Sequence, residues 1–556
     1  LTRLVRPLRP IAMNLSRSPR VSPPVSHLGG FALALVAASA IAMSLAGCPR
    51  SSVPASPAPP SPAAGSAGDV APAETPPPAP HQGTLWLLAD VRGTPRTCGC
   101  AKALELGGFD RLIPWLDAAW ARDHGEGLLL HAGPLFFPEA APPPDLLESH
   151  RRKAQLVSRL VGRLTRRLQA RAARPEHPVG AAGVSSLDLT AAGADYAALA
   201  KTTGLPLLTA NVTRPDGTLA FPAHRVLPTA SGPTALRVGV FALTAPPPAG
   251  RPGPPGLRVT DPVAAARAQV AALRARADVD VVVLLSDLGL RQTKRLLRQV
   301  PGVDLALVGG LGEHPVVSEE ADRVGDAYVV SLHREGRWVG QVTVHRTVAG
   351  PLALRGPGST GEARRDADRP ASWLLYRAVP LRWSLPQDPD VAAEMARFDA
   401  ALQELARARA EASQLPTPKP GEAVYVGQER CLACHDEATP FARTNPHAQA
   451  WRTLQDGGKT FDPDCVACHV TGYGRPGGAL VGRTAGREAV QCEACHGPGS
   501  RHVAAAEAGD EAAARRAIQG KPGAQACGLC HTRHHSPGFD FDAYRAKLLV
   551  PGHGRP

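Results

Sequence analysis

Hydrophobic positions change their period along this chain, and the changes divide it. Phe31 to Leu45 is an apolar run of mainly Ala, Leu, Val and Ile, short for a bilayer span of about 20 residues, and it follows a stretch with five arginines (Arg3, Arg6, Arg9, Arg17, Arg20) and no acid. From Pro49 to Gln82 almost every residue is Pro, Ala, Ser or Gly, too little apolar surface to offset the entropy of ordering, so this stretch reads as a tether. From Gly83 to about Gly350, short apolar runs alternate with amphipathic segments, which predicts an α/β layered domain. Leu85–Ala89, Leu128–Leu130, Leu236–Leu243, Val279–Leu285, Val303–Val308 and Tyr328–Leu332 read as strands, and Trp338–His345 as a more exposed closing strand. Asp145–Arg171 and Pro262–Ala277 read as helices. The first carries Arg151, Arg152, Lys153, Arg159, Arg163, Arg166 and Arg167, a run that ordinarily marks a solvated face. Asp388-Pro389-Asp390 is an N-cap followed by proline at the first helical position. Val391, Met395, Phe398, Leu402 and Leu405 then share one face of a helix of about five turns.

Composition narrows the functional classes. The 556 residues carry a net charge of +13, but five of those charges lie ahead of the tether, and losing them leaves about +8. The basic balance therefore gives little support to nucleic-acid binding. Glycine and proline show no triplet period, which excludes collagen, and a single long apolar run excludes a polytopic membrane protein.

The last segment contains Cys431-Leu-Ala-Cys434-His435, Cys465-Val-Ala-Cys468-His469, Cys492-Glu-Ala-Cys495-His496 and Cys527-Gly-Leu-Cys530-His531. At this chain's Cys and His frequencies chance would give roughly 0.01 such motifs. Two cysteines one helical turn apart reach the two vinyl groups of one haem, and the adjacent histidine ligates iron. Zinc sites place their histidines farther from the cysteine pair, and disulfide frameworks need no histidine after every second cysteine. Four covalent haem c groups are therefore expected, with His435, His469, His496 and His531 as proximal ligands. His447, His502 and His553 are the candidate distal ligands, each standing apart from its neighbours. His534 and His535 read equally well as surface residues, which leaves one iron open on one side.

The residues around these motifs carry a specific resemblance. Tyr425-Val426-Gly427, Pro446-His447-Ala448, Val470-Thr471-Gly472-Tyr473, Gln491, His496-Gly497-Pro498-Gly499-Ser500 and His535-Ser536-Pro537 resemble the tetrahaem c-type cytochromes of hydroxylamine-oxidising bacteria. The resemblance covers about 130 residues and implies a mostly helical, loop-rich electron-transfer domain, mostly bis-His ligated, with one five-coordinate haem. The α/β segment resembles the periplasmic 5′-nucleotidase-like metallophosphatases through Asp90, Cys98-Gly99-Cys100, Gly107-Gly108-Phe109-Asp110-Arg111, Pro206–Val212 and Val282–Gly289. That implies a layered sandwich, yet the family's metal ligands are missing. Arg92 stands where Asp-x-His has histidine, Gly133-Pro134 replaces Gly-Asp, Ser185-Ser186 the Asn-His pair, Ser286-Asp287 the Ser-His pair and Gly309-Gly310 the Gly-His turn. Too few carboxylates remain to hold two ions about 3.5–4 Å apart. Cys98 and Cys100 stay open as a short-loop disulfide, a metal pair or a candidate redox pair.

Leu45-Ala46-Gly47-Cys48 resembles a bacterial lipoprotein signal, with Cys48 as the lipidated residue and Pro49 implying the outer membrane. The organisation expected is thus a signal peptide (1–47), linker (48–82), metallophosphatase-like domain (83–350), connecting segment with a helix (351–420) and tetrahaem domain (421–556). The function expected is electron transfer with redox partner proteins, from the periplasmic side of the outer membrane or the cell surface. Two alternatives are a multihaem or thiol oxidoreductase acting on a small substrate and a phosphoesterase with an appended cytochrome. Cys48→Ala should abolish lipidation and release the protein from membranes, checked by fractionation; continued sedimentation with lipid would indicate an uncleaved anchor or a tight membrane partner.

Overall fold

The structure is a computed structural model and describes residues 81–556, except 97–105, 252, 311–316, 333, 348–351, 356–371, 413, 533–535, 537 and 556. Cys48, Cys98, Cys100, His534 and His535 lie outside the described residues. All described residues belong to one compact unit, Pro76–Pro556.

The elements run β1 (His81–Ala89), α1 (Phe109–Arg122), β2 (Leu128–Ala132), α2 (Pro144–Ala170), β3 (Gly180–Gly183), α3 (Ser186–Ala192), α4 (Tyr196–Thr203), β4 (Leu207–Leu208), β5 (Val212–Thr213), β6 (His224–Pro228), β7 (Arg237–Leu243) and β8 (Arg258–Val259). They continue through α5 (Pro262–Arg274), β9 (Val281–Ser286), α6 (Leu290–Gln299), β10 (Leu305–Val308), β11 (Asp322–Val324), β12 (Ala327–Ser331), β13 (Trp338–Arg346), β14 (Ala353–Arg355), β15 (Trp373–Pro380) and α7 (Pro389–Ala412). Two large sheets result, ordered β14-β15-β13-β1-β2-β3-β4 and β11-β12-β10-β9-β7-β6, with β5 and β8 forming a separate two-stranded pair.

Strand alternation dictates the layering. Leu85, Leu87 and Ala89 of β1 face Val238, Val240 and Ala242 of β7 and Val283 and Leu285 of β9 in the layer between the sheets. Trp86 and Leu88 point the other way, into a layer with Leu112 and Leu116 of α1, Leu156 and Leu160 of α2 and Val391 and Met395 of α7. The second sheet is covered on its outer face by Ala266 and Leu273 of α5 and Leu296 and Leu297 of α6. Truncating a buried leucine in any of these layers costs about 2–5 kcal/mol.

Two expectations need correction. Trp338–His345 is not a closing strand: β13 pairs with β1 on one side and β15 on the other, so the layered sheet extends beyond residue 350. The basic face of α2 is not simply solvated. Arg159 and Arg163 pair with Glu394 of α7 at 3.2 and 2.7 Å, and Arg167 with Asp388, the N-cap of α7, at 2.6 Å. A run of like charge here meets carboxylates of its own chain.

The loop after β2 is held by Asp188 of α3, whose buried carboxylate accepts from the backbone N–H groups of Leu135, Phe136 and Phe137 at 2.6–3.1 Å. Asp188→Ala would orphan three donors, each costing about 1–3 kcal/mol, and should destabilise the α/β domain by about 3 kcal/mol or more in urea unfolding. A loss below about 1 kcal/mol would mean that water or another group takes over those donors.

Candidate functional site

The C-terminal segment adds α8 (Gln428–Leu432), α9 (Thr439–Thr444), α10 (Ala450–Asp456), α11 (Pro463–His469), α12 (Cys492–His496), α13 (Ser500–Glu507), α14 (Glu511–Arg516), α15 (Ala524–Gly528) and α16 (Phe541–Leu548). Each Cys-x-x-Cys-His motif forms one helical turn. In the first and fourth, the histidine N–H donates to the carbonyl of the first cysteine, His435 to Cys431 at 3.0 Å and His531 to Cys527 at 2.8 Å. The second and third lie within α11 and α12.

The turns are brought together in pairs. Cys431 and Cys492 are in side-chain contact, as are Cys468 and Cys530. Cys495 interacts with Cys527. The attachment sites therefore adjoin one another in the order first, third, fourth, second.

The histidines are arranged across these turns. The ring centroids of His435 and His502 lie 6.2 Å apart, those of His531 and His447 6.0 Å, and those of His496 and His553 6.2 Å. Two imidazoles on opposite sides of one metal ion, each at a bond length of about 2 Å, have centroids about 6 Å apart. Each separation thus fits one iron between the rings. Among the described residues no second histidine ring faces His469.

Hydrogen bonding prepares the rings for this role. The Nδ1 atoms of His469, His496, His502 and His553 lie 2.5, 2.7, 2.9 and 2.7 Å from the carbonyls of Ala450, Gln519, Ala514 and Leu548. Holding the proton on Nδ1 leaves Nε2 with a lone pair for a metal. Burial lowers the His447, His496 and His531 pKa values, reinforced at His447 by His531, which keeps these imidazoles neutral as ligands must be. Phe441 stacks on His553 at 4.0 Å and Phe539 on His531 at 4.8 Å, fixing ring planes.

Several residues around the motifs have structural duties. Glu493, inside the third motif and buried, accepts from the N–H groups of Val426, Gly427 and Gly499 at 2.7–3.1 Å. It thereby ties the lead-in of the first motif to the turn after the third. Gly472 has φ 70°, and a Cβ there would meet the Tyr425 ring at 2.7 Å.

The α/β domain does the opposite with its would-be metal nest. Asp90, at the end of β1, is buried, and its Oδ1 accepts from Gly310 N at 2.8 Å. The Arg92 guanidinium lies 4.0 Å from the same oxygen. A Cβ on Gly133 would collide with Asp90 Oδ1 and fall 2.7 Å from Gly310 N, so backbone closes on the carboxylate. Asp287 accepts from Ser186 N and Ala245 N at 3.1 and 3.2 Å. Asn211 is spent on Thr244 and Thr260. Among the described residues no group of three or more His, Cys, Asp or Glu could hold a metal ion. A dinuclear centre does not fit these residues. Asp90 and Arg92 have φ of 51° and 54°, a left-handed backbone that costs a non-glycine residue strain and is held here by its surroundings.

One cluster was not legible in the sequence as a site. His150 and Lys153 of α2 contact Asp462 and Asp464 at the start of α11. Nothing in the spacing of a lone histidine within a basic helix marks it.

Comparisons with known proteins follow the same division. The family model "Cytochrome c554 and c-prime" matches residues 430–497. Cytochrome c-554 of Nitrosomonas europaea is 32% identical over 94 residues, 14% of this chain and 40% of that protein. The chain thus spans about two fifths of the length of that relative. Among solved structures, a 5′-nucleotidase precursor from Thermus thermophilus gives a TM-score of 0.44 at 17% identity, covering 74% of this chain and 72% of that one. The sulfate thiohydrolase SoxB of Thermus thermophilus gives 0.42 at 18%, covering 66% and 69%.

Asp287 supplies a test of the vacated nest. Burial raises its pKa to about 7, with backbone N–H groups of Ser186 and Ala245 opposing and Asp90 adding to the rise. Against an unfolded value near 3.9, the folded state binds the extra proton, so Asp287's contribution is greatest below about pH 4 and is lost as pH rises to about 7. Asp287→Asn should therefore remove up to roughly 4 kcal/mol of pH dependence across that window, measured by urea unfolding at pH 4, 5.5 and 7.5. An unchanged pH profile would show that Asp287 is ionised throughout and compensated elsewhere. The chain joins a layered α/β domain to a C-terminal segment that is similar to the cytochrome c554 and c-prime family, a likeness that implies covalent c-type haem.

Proposed function

We propose that this protein is an exported, lipid-anchored multihaem cytochrome that moves electrons through four covalently held haems, with the α/β domain as a platform that does not hydrolyse phosphoesters. The observation that carries this reading is the set of three histidine pairs at 6.0–6.2 Å, each joining a motif histidine to a distant one. His435 with His502, His531 with His447, and His496 with His553 would each hold one haem iron between them, and His469 would hold the fourth. Bound haem supplies one-electron oxidation and reduction at iron. The chain's residues attach it through paired cysteines, hold Nε2 of each ligand toward the metal and set the order of neighbouring sites, with His469 at one end of the series. Electrons exchange with redox partner proteins, and Cys48 holds the protein at the periplasmic side of the outer membrane or the cell surface.

A second reading is favoured by His469: an oxidoreductase that binds a small substrate at the open iron. The same experiment addresses both. Acid-acetone extraction of the denatured protein should leave four haems per chain. The resting protein should show one high-spin iron by EPR that binds NO or CO after reduction, and substituting His447, His502 or His553 should each convert one further iron to that behaviour. Loss of colour into the organic phase would sink covalent attachment. Exclusively low-spin iron that binds no added ligand would remove the open site and leave electron transfer alone.

A further inference from the structure

The α/β domain and the haem segment meet at a charged cluster on the helix that bears the second motif. Lys153 Nζ donates to Asp462 Oδ1 at 2.9 Å and to Asp464 Oδ2 at 2.6 Å. His150 Nε2 lies 3.3 Å from both carboxylate oxygens of Asp464. His150, Asp462 and Lys153 are 2%, 8% and 14% exposed and Asp464 42%, so the cluster is buried on the α2 side and opens to water at Asp464. Glu139, in the loop after β2, faces the same group: burial raises its pKa, with His150 opposing and Asp464 adding to the rise.

The cluster sits at a sensitive place. Asp462 is the N-cap of α11, accepting from Asp464 N. Asp464 precedes Cys465 directly and lies five residues ahead of His469, about 7.5 Å along the helix axis. Lys153 therefore faces two carboxylates, Asp462 and Asp464, close to the iron that His469 would hold. Burial would lower the Lys153 pKa, but Asp462 and Asp464 more than reverse this, and Asp464 in turn is held below its ordinary range because Lys153 and His150 outweigh its burial. Lys153 and Asp464 are thus both charged at neutral pH.

We propose that Lys153, oriented with His150 against Asp464, is a positioning residue supplied by the α/β domain that fixes α11 and raises the reduction potential of the haem on the second motif by offsetting the adjacent carboxylates. The proposal rests on the reading that this motif carries a haem. Uncompensated negative charge near an iron favours its more positive, oxidised state. One unit charge about 10 Å away at an effective dielectric near 20 corresponds to roughly a tenfold change in a one-electron equilibrium.

The test is a spectroelectrochemical redox titration of the full-length holoprotein and its Lys153→Met, Lys153→Arg and Asp464→Asn variants, with haem content measured for each. Lys153→Met should lower the ratio of reduced to oxidised iron about tenfold at fixed potential in one haem of four, a shift of about 59 mV. Lys153→Arg should restore the wild-type value, and Asp464→Asn should shift the same haem the opposite way. The interface has a second anchor, Lys459 to Asp399 at 2.7 Å with Phe461 packed on Leu402 and Ala406, so Lys153→Met should remain docked. Should it fail to fold, the sign of the Asp464→Asn shift decides. Unchanged potentials, or equal shifts in all haems, would overturn the proposal. A haem count below four in the wild type, with the second motif unmodified by peptide mass, would instead overturn the reading on which it rests.

Discussion

The C-terminal segment has almost no core of its own. Its largest cluster of buried apolar residues among the described positions is Leu454, Val466, Val470 and Ala479. The surfaces around the motifs are open: His435 is 56% exposed and Leu529, inside the fourth motif, 75%. A chain of this size cannot offset its ordering entropy with so little burial, so the porphyrins must supply the apolar interior, and thioether attachment makes that interior permanent. The rest of the arrangement follows from this constraint. Glu493 and the left-handed glycines hold the loops at the spacing of a filled interior, and the short helices serve as mounts for cysteine and histidine.

The α/β domain is organised by the reverse condition. Its interior is complete, and its carboxylates are consumed by backbone. Among the described residues Asp188 accepts from the N–H groups of Leu135, Phe136 and Phe137, Asp287 from those of Ser186 and Ala245, and Asp90 from that of Gly310. A carboxylate that satisfies buried N–H donors cannot also present those oxygens to a metal without orphaning the donors. Gly133, Gly309 and Gly310 make the exchange possible, since any side chain at these positions would collide with Asp90, Ala132 or Asp287. The backbone is thus closed on these carboxylates rather than leaving a cavity around them.

The sequence revealed what local pattern controls. Val281–Ser286 and Arg237–Leu243 are β-branched and apolar runs, and Asp388-Pro389 announced α7, whose Val391, Met395 and Leu402 are buried as the periodicity requires. β3 gave no signal because Gly180 must lie flat against Leu129, where a Cβ would collide with the carbonyl, and Gly-Ala-Ala-Gly has no apolar excess. β13 was misjudged as an outer strand because its partner β15 lies beyond a break in the apolar pattern. The distal histidine candidates were visible as isolated residues, but their partners were not: His447 meets the fourth motif, not the first one that it follows, because chain crossing rather than spacing sets the pair. The destination of the α2 charges was hidden for a similar reason, since Lys153 and Asp462 are 309 residues apart.

In layered α/β folds the C-terminal edge of the parallel strands is where ligands are held. Here β1 and β2 end at that edge in Asp90 and Gly133, and the chain continues through Glu139 into the first turns of α2. Those turns carry His150 and Lys153, which hold the helix of the second haem motif. This edge gathers charge that is directed outward to another part of the same chain. A rigid, fully packed sheet is a better mount for such charges than a haem segment with little core, because fixed dipoles and ion pairs act on a redox centre without reorganising when an electron arrives. On this argument the α/β domain matters to electron transfer through its stiffness, and the absence of hydrolytic ligands leaves that stiffness intact.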